Sequence, residues 1–232
     1  EPARAARAMQ ALDKYLVRGS DQLMLLFTPP FVTTEHDPGY IKGYPAGLRE
    51  NGGQYTHGVL WAVAAFAELG LGSRAGELFA MLNPINHSRS RTAAQRYRVE
   101  PYVVCGDVYS VTPHVGRGGW TWYSGSAGWM YRVGMEWILG LRLKGDTLVI
   151  DPCIPSHWPR FDATLRHKGA VYEIAVENPN GLCKGIAELY LDGVSLDVAG
   201  IPLAGGHGTH KIRAVMGEAK QIEQPEPAKA AS

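Results

Sequence analysis

Residues 55–69 place apolar side chains on nearly every side of a helical turn: Val59, Leu60, Trp61, Val63, Ala64, Ala65, Phe66 and Leu69. A helix without a polar face has to be buried on most sides. Residues 126–139 repeat the pattern with Ala127, Trp129, Met130, Val133, Met135, Trp137, Ile138 and Leu139. Gly70 and Gly72 end the first helix, Ser73 is placed to cap a short second one reaching Leu82, and Pro84 closes it. Two helices joined this closely form an αα-hairpin. An amphipathic helix over residues 3–17 precedes them, with Ala5, Met9, Leu12 and Leu16 at helical spacing. The chain therefore begins as buried helical hairpins.

The period changes near 142–146. Leu148 to Ile150, Ala163 to His167, Val171 to Val176, Ile186 to Asp192 and His210 to Val215 are rich in β-branched residues or alternate. Lys168-Gly169, Asn178-Pro179-Asn180-Gly181 and Asp192-Gly193 punctuate them as turns. An antiparallel β module is expected here, followed by a disordered Pro/Ala/Glu tail over 219–232. The expected organisation is helices and loops over 1–143, a β module over 144–218, then the tail.

Two loops carry the chemistry. Gly43 to His57 gathers Arg49, Glu50, Asn51, Gln54 and His57 around Gly52-Gly53, just before the first apolar helix. Gly116 to Trp129 mixes glycines with Trp120, Trp122, Tyr123, Ser124 and Ser126 before the second. A core has no use for that density of polar groups beside glycine. A sugar site does: flat rings cover a sugar face, while hydroxyls and backbone N–H groups bind oxyanions. Each helix start also attracts anions through its free N–H groups and dipole. Against this, Arg49–Glu50 reads equally as a loop ion pair, Ser124 as a plain N-cap, and the tryptophans as core. In an extended loop, alternation puts Trp120 and Trp122 on one side. Glu100 reads as a structural carboxylate, Asp107 as a cap or turn, and the basic stretch 86–98 as a solvated loop.

Bulk properties exclude other classes. A net charge of +1 leaves no nucleic-acid footprint. Cys105, Cys153 and Cys183 have no metal-ligand spacing and cannot all pair, which favours a reducing compartment over a disulfide scaffold. No apolar run reaches the roughly 18 residues of a membrane span. The N-terminus has no signal-peptide pattern and no initiator Met, so a cytoplasmic segment cut from a longer protein is expected.

Six ordered blocks resemble the glycoside phosphorylases related to cellobiose phosphorylase, glycoside hydrolase family 94. They are Pro29-Pro30-Phe31, Gly39 to Pro45, Arg49 to His57, Glu100 to Val104, Gly116 to Trp129, and Asp151 to Pro155. The resemblance is nearest to the C-terminal catalytic region of cyclic β-1,2-glucan synthases. It implies the last helices of an (α/α)6 barrel followed by a small antiparallel β-sandwich. It further implies inverting phosphorolysis of a β-glucoside, with inorganic phosphate as co-substrate, no cofactor or metal, and α-glucose-1-phosphate as product. Phosphate is itself the nucleophile, so a single carboxylic acid suffices, where an inverting hydrolase also needs a carboxylate base for water. The family's acid lies in a Trp-Asn-Asp-Gly type motif, which this sequence lacks. The family's phosphate contacts fall on His57, Ser124 and Gly125, with Ser124 replacing a more usual Thr. Arg49, Glu50, Gln54, Trp120, Trp122 and Tyr123 fall at or beside the sugar subsites. The partners implied are a β-glucan oligosaccharide, phosphate and the remainder of the enzyme. A non-catalytic carbohydrate-binding fragment and an inverting hydrolase are the alternatives.

Overall fold

The computed structural model describes residues 1–122, 124–196 and 200–218; at Ser124 it describes the backbone alone. Tyr123 and the tail expected at 219–232 lie outside the described residues. Helix α1 (Pro2–Leu16) starts on a proline, whose missing N–H costs nothing at a first turn. It runs into a two-residue ribbon, β1 (Val17–Arg18) against β2 (Leu23–Met24), and Leu23 and Met24 are fully buried. Residues 31–53 follow as turns and one 3-10 segment, Gly39–Gly43. Then come β3 (Gln54–Tyr55), α2 (Thr56–Glu68) and α3 (Gly72–Leu82).

Helix α2 buries Val59, Leu60, Val63, Ala64, Phe66 and Ala67, as its composition requires. Trp61 is the exception, with 53% of its surface open. Ser73 does not cap α3: the flanking residue is Leu71, and the Ser73 hydroxyl instead accepts from Ser156 N at 3.2 Å. The helix starts two residues earlier than a Ser73 cap would give, at Gly72, which packs so closely on the chain at Ile154 that a Cβ would meet the carbonyl oxygen at 2.3 Å.

The basic stretch expected as a solvated loop contains α4 (Arg91–Tyr97), capped by Ser90 Oγ accepting from Ala93 N at 3.2 Å. It buries Tyr97, whose hydroxyl lies 3.1 Å from Cys105 Sγ and whose ring stacks on the buried His87 at 4.6 Å. Two aromatic anchors at its ends hold this segment down, while its arginines face water. Strand β4 (Asp107–Val108) pairs with β3, and α5 (Ser124–Arg132) continues as a π-helical stretch, Val133–Ile138. No helix among the described residues is long and apolar enough to cross a membrane.

The β part opens at Leu141 with the hairpin β5 (Leu141–Lys144) and β6 (Thr147–Ile150), joined on its far edge by β11 (Ile201–Pro202). A second sheet has the order β10-β9-β12-β8-β7. Its strands are β7 (Arg160–His167), β8 (Ala170–Glu177), β9 (Ile186–Leu191), β10 (Val194–Leu196) and β12 (Gly208–Met216). Lys168-Gly169 and Asp192-Gly193 all have positive φ, which makes the two-residue hairpin turns that right-twisted strands prefer. The expectation of a wholly antiparallel module fails at one pair: β12 runs parallel to β8, from Gly208↔Ala170 to Val215↔Glu177. A parallel pair needs a long crossover. Residues 178–207, with β9, β10 and β11, provide it.

One apolar cluster runs from Met24 through α2, α3 and the π-helical stretch to Ile154, Ile174 and Met216. The β module thus shares its core with the helices. Cys153 N donates to Ile138 O at 2.9 Å across that junction.

Burial pushes the thiols of Cys105 and Cys153 up to about 11, while Cys183 is half-buried. A thiol reagent at pH 8 is expected to label Cys183 first, with the other two reacting only on unfolding; equal rates in the native chain would contradict this packing. Burial, aided by the Arg96 charge, holds the His87 imidazole below its ordinary range. A depressed histidine contributes stability above its unfolded value of about 6.5 that is lost as pH falls below it. His87→Gln is expected to flatten that part of the acid destabilisation, read by urea melts from pH 7 downward.

Candidate functional site

The segment 106–110 is the middle of the site. On one side β4 pairs with β3, Gln54 opposite Val108 and Tyr55 opposite Asp107. On the other, Gly106 N donates to Trp120 O at 2.6 Å, Tyr109 N to Arg117 O at 2.9 Å, and Gly119 N to Asp107 O at 2.8 Å. The two glycine-rich loops of the sequence are thereby held on either side of one short strand.

Buried side chains complete this fastening. Asn51 is wholly buried; its Oδ1 accepts from Phe31 N at 2.7 Å and its Nδ2 donates to Phe31 O and Tyr44 O at 2.9 and 2.8 Å. Ser110 Oγ donates to Gly52 O at 2.8 Å, and Ser110 N donates to Gly47 O at 3.0 Å. Gly47 leaves no space for a side chain, since a Cβ would lie 2.6 Å from Val111 Cγ1.

Asp107 is 1% exposed and bridges the loops through its carboxylate. Oδ2 accepts from Arg49 N and Oδ1 from Trp120 N, each at 3.1 Å. Burial pushes this carboxyl up from its ordinary range, while the two backbone donors and the Arg49 charge pull it down and Glu50 adds to the push. Above these two bonds the residues' side chains meet: the Arg49 guanidinium lies 3.7 Å from the centre of the Trp120 ring, and 5.5 Å from that of Tyr44. Such cation–π contacts favour Trp. Arg49 reaches this place in the left-handed region, with φ 47°.

Arg49 Nε and Glu50 Oε2 stand 4.0 Å apart, too far to hydrogen-bond. Both atoms are shut off from solvent and neither has a hydrogen-bond partner among the described residues. The same holds for His57 Nε2. His57, in the first turn of α2, sits among rings: Tyr55 at 6.4 Å, Trp61 edge-on at 4.9 Å and Trp129 of α5 at 5.7 Å. A buried polar group left unpaired costs about 1–3 kcal/mol. With Thr56 Oγ1, four such atoms fall within residues 49–57, a density that stability does not account for.

The remaining expected residues divide. Gln54 faces inward, buried, with Oε1 accepting from Met24 N at 3.1 Å. Ser124 and Gly125 form the start of α5, where Gly125 is exposed and has open space at its Cα. Tyr123 and the Ser124 side chain lie outside the described residues. Trp120 and Trp122 meet different partners. Trp122 turns through a positive φ of 63°, so the extended alternation is broken. Its indole N–H donates to Glu100 Oε1 at 3.4 Å and its ring meets Tyr102. Asp107, read from sequence as a cap or turn, is a strand residue that ties both loops. Asn51 and Ser110 were likewise not recognisable, because their partners are backbone groups chosen by the fold.

The family model described as Glycosyl hydrolase 94 superfamily, catalytic domain, matches residues 1–140, and that of Glycosyl hydrolase family 65, C-terminal domain, matches 141–182. The chain belongs to the glycosyl hydrolase 94 superfamily, a family of carbohydrate-active enzymes. It is 53% identical over 173 residues to the cyclic beta-(1,2)-glucan synthase NdvB of Rhizobium meliloti (strain 1021), which covers 75% of this chain and 6% of that protein. It is 34% identical over 216 residues to the N,N'-diacetylchitobiose phosphorylase of Vibrio furnissii, 92% of this chain and 26% of that one. With the solabiose phosphorylase of Paenibacillus borealis it shares 28% over 223 residues, 93% of this chain and 28% of that one. The chain thus spans about a quarter of the phosphorylases and a far smaller part of the synthase.

Asn51→Ala removes three hydrogen bonds and strands the Phe31 backbone. A loss of about 3 kcal/mol is expected, measured by urea denaturation; a change under about 0.5 kcal/mol would mean that the 31–51 loop is not fastened this way.

Proposed function

We propose that this chain is the C-terminal part of a glycoside phosphorylase-type catalytic region that acts on a β-glucan. Its helices are the last of an (α/α)6 barrel and its sheets the β-sandwich behind it. The reaction is inverting phosphorolysis: phosphate attacks the anomeric carbon, the glycosidic oxygen takes a proton and leaves, and α-glucose-1-phosphate is released. In cyclic β-1,2-glucan synthesis that step processes linear chains. The general acid lies on a part of the enzyme beyond these 232 residues. Inorganic phosphate is a co-substrate, and no cofactor is needed.

The observation that carries this reading is the set of unpaired polar atoms on Arg49, Glu50 and His57, with the Arg49 guanidinium set against the Trp120 ring. The Trp120 ring and the Arg49–Glu50 pair suit a sugar, one face against the indole and hydroxyls on the charged groups. Gln54 holds the neighbouring chain through its bond from Met24 N. His57 and the N–H groups at Ser124 and Gly125 suit a phosphate, since an imidazole and a helix start both attract anions. The 53% identity to a cyclic glucan synthase favours a β-1,2-glucan over other substrates. A cytoplasmic location, alone or as the cytoplasmic part of an inner-membrane synthase, suits a phosphate-dependent reaction.

The 232-residue chain, mixed with linear β-1,2-gluco-oligosaccharides and phosphate, is expected to release no α-glucose-1-phosphate. Product would mean that an acid lies within it. In the complete enzyme, His57→Ala is expected to raise the phosphate KM at least roughly tenfold, the scale of one lost hydrogen bond to a charged group. Unchanged phosphate dependence would sink the phosphate role.

A further inference from the structure

The Asp107 carboxylate is the only group among the described residues that accepts hydrogen bonds from the backbones of both Arg49 and Trp120. Those two residues are 71 positions apart in sequence, yet their side chains stack at 3.7 Å. We infer that Asp107 is a positioning residue for sugar binding: its two oxygens set the spacing of the Arg49 and Trp120 backbones, and so the guanidinium–indole platform that the sugar meets. This rests on the sugar-site reading given above.

The geometry excludes weaker versions of the role. Asp107 is buried at 1% exposure, so it does not contact substrate itself. Its two acceptors meet two N–H donors, one from each loop. An amide in its place would keep one acceptor and set its own NH2 against the other donor. Gly119 completes the arrangement. A Cβ there would lie 2.2 Å from Oδ1 and 2.8 Å from the carboxyl carbon, so the carboxylate reaches Trp120 N only beside a glycine. Arg49 N is crowded in the same way: a Cβ on Gly53 would lie 2.9 Å from it. The glycines at 53 and 119 thus belong to the same device. His57 takes no part in it, since its neighbours are Tyr55, Trp61 and Trp129. The sugar and phosphate sides of the site are therefore separable by mutation.

The test is Asp107→Asn in the complete enzyme, with steady-state kinetics against a linear β-1,2-gluco-oligosaccharide and against inorganic phosphate. The sugar KM is expected to rise roughly tenfold, a common coupling between contacting residues, while the phosphate KM stays within about twofold. In a Trp120→Leu background the same Asp107→Asn change is expected to add little, because the platform on which it acts is already gone. Gly119→Ala moves the carboxylate without removing it and is expected to reproduce the rise; it carries the test if Asp107→Asn does not fold. Equal losses against both substrates, or an undiminished effect in the Trp120→Leu background, would show a general structural role and overturn the proposal while phosphorolysis stands. A wild-type enzyme with no phosphate-dependent cleavage would instead overturn the sugar-site reading and this inference with it.

Discussion

Irregular backbone inside a protein must find partners for its N–H and C=O groups, and that constraint governs this molecule more than any apolar contact. Residues 31–53 and 109–122 contain almost no regular structure, yet parts of them are buried. Asn51, Gln54, Asp107 and Ser110 answer the constraint by turning polar side chains inward onto backbone. Each reaches across to another segment, so the loops become as determined as strands. The candidate chemistry, Arg49 over Trp120 and His57 among its rings, is held on that frame.

The frame rests in turn on the apolar helices. Helix α2 begins immediately after the loop that bears Arg49, Glu50 and Gln54, and α5 begins immediately after the loop that bears Trp120. Rigid helix starts fix where each loop must end. Behind them the β module closes the core through close glycine contacts: Gly72 at Ile154 and Gly76 at Pro155, where a Cβ would lie 2.3 and 2.5 Å from its neighbour. A larger residue at either would separate the sheets from the helices that bear the site. On the opposite side Trp61 stays open beside His57 and Trp129.

Much of this was legible beforehand. The apolar runs located α2 and α5, and the turn dipeptides Lys168-Gly169 and Asp192-Gly193 fell where the hairpins are, because positive φ at both residues is a local requirement. The two polar, glycine-rich loops stood out in the sequence, and the fold brings them to either side of one short strand. Less legible were β5, β10 and β11, too short for a periodic signal, and α4, whose charged composition, like that of the turn before it, masked the buried anchors Tyr97 and His87. Trp122 departs from the extended backbone that alternation assumes, because its φ is left-handed.

The sequence by itself determined the helices that need burial, the turns, and the family to which the chain belongs, all of them properties of neighbouring residues or ordered motifs. Only the tertiary structure decided which polar residues of those motifs face inward. Gln54 meets Met24, 30 residues away, and Asp107 meets Arg49, 58 away. It also decided that β12 slots between β8 and β9, parallel to the first. The physical reason is common to both. A hydrogen-bond partner is chosen by where the backbone arrives, and segments far apart in sequence carry no local trace of that meeting.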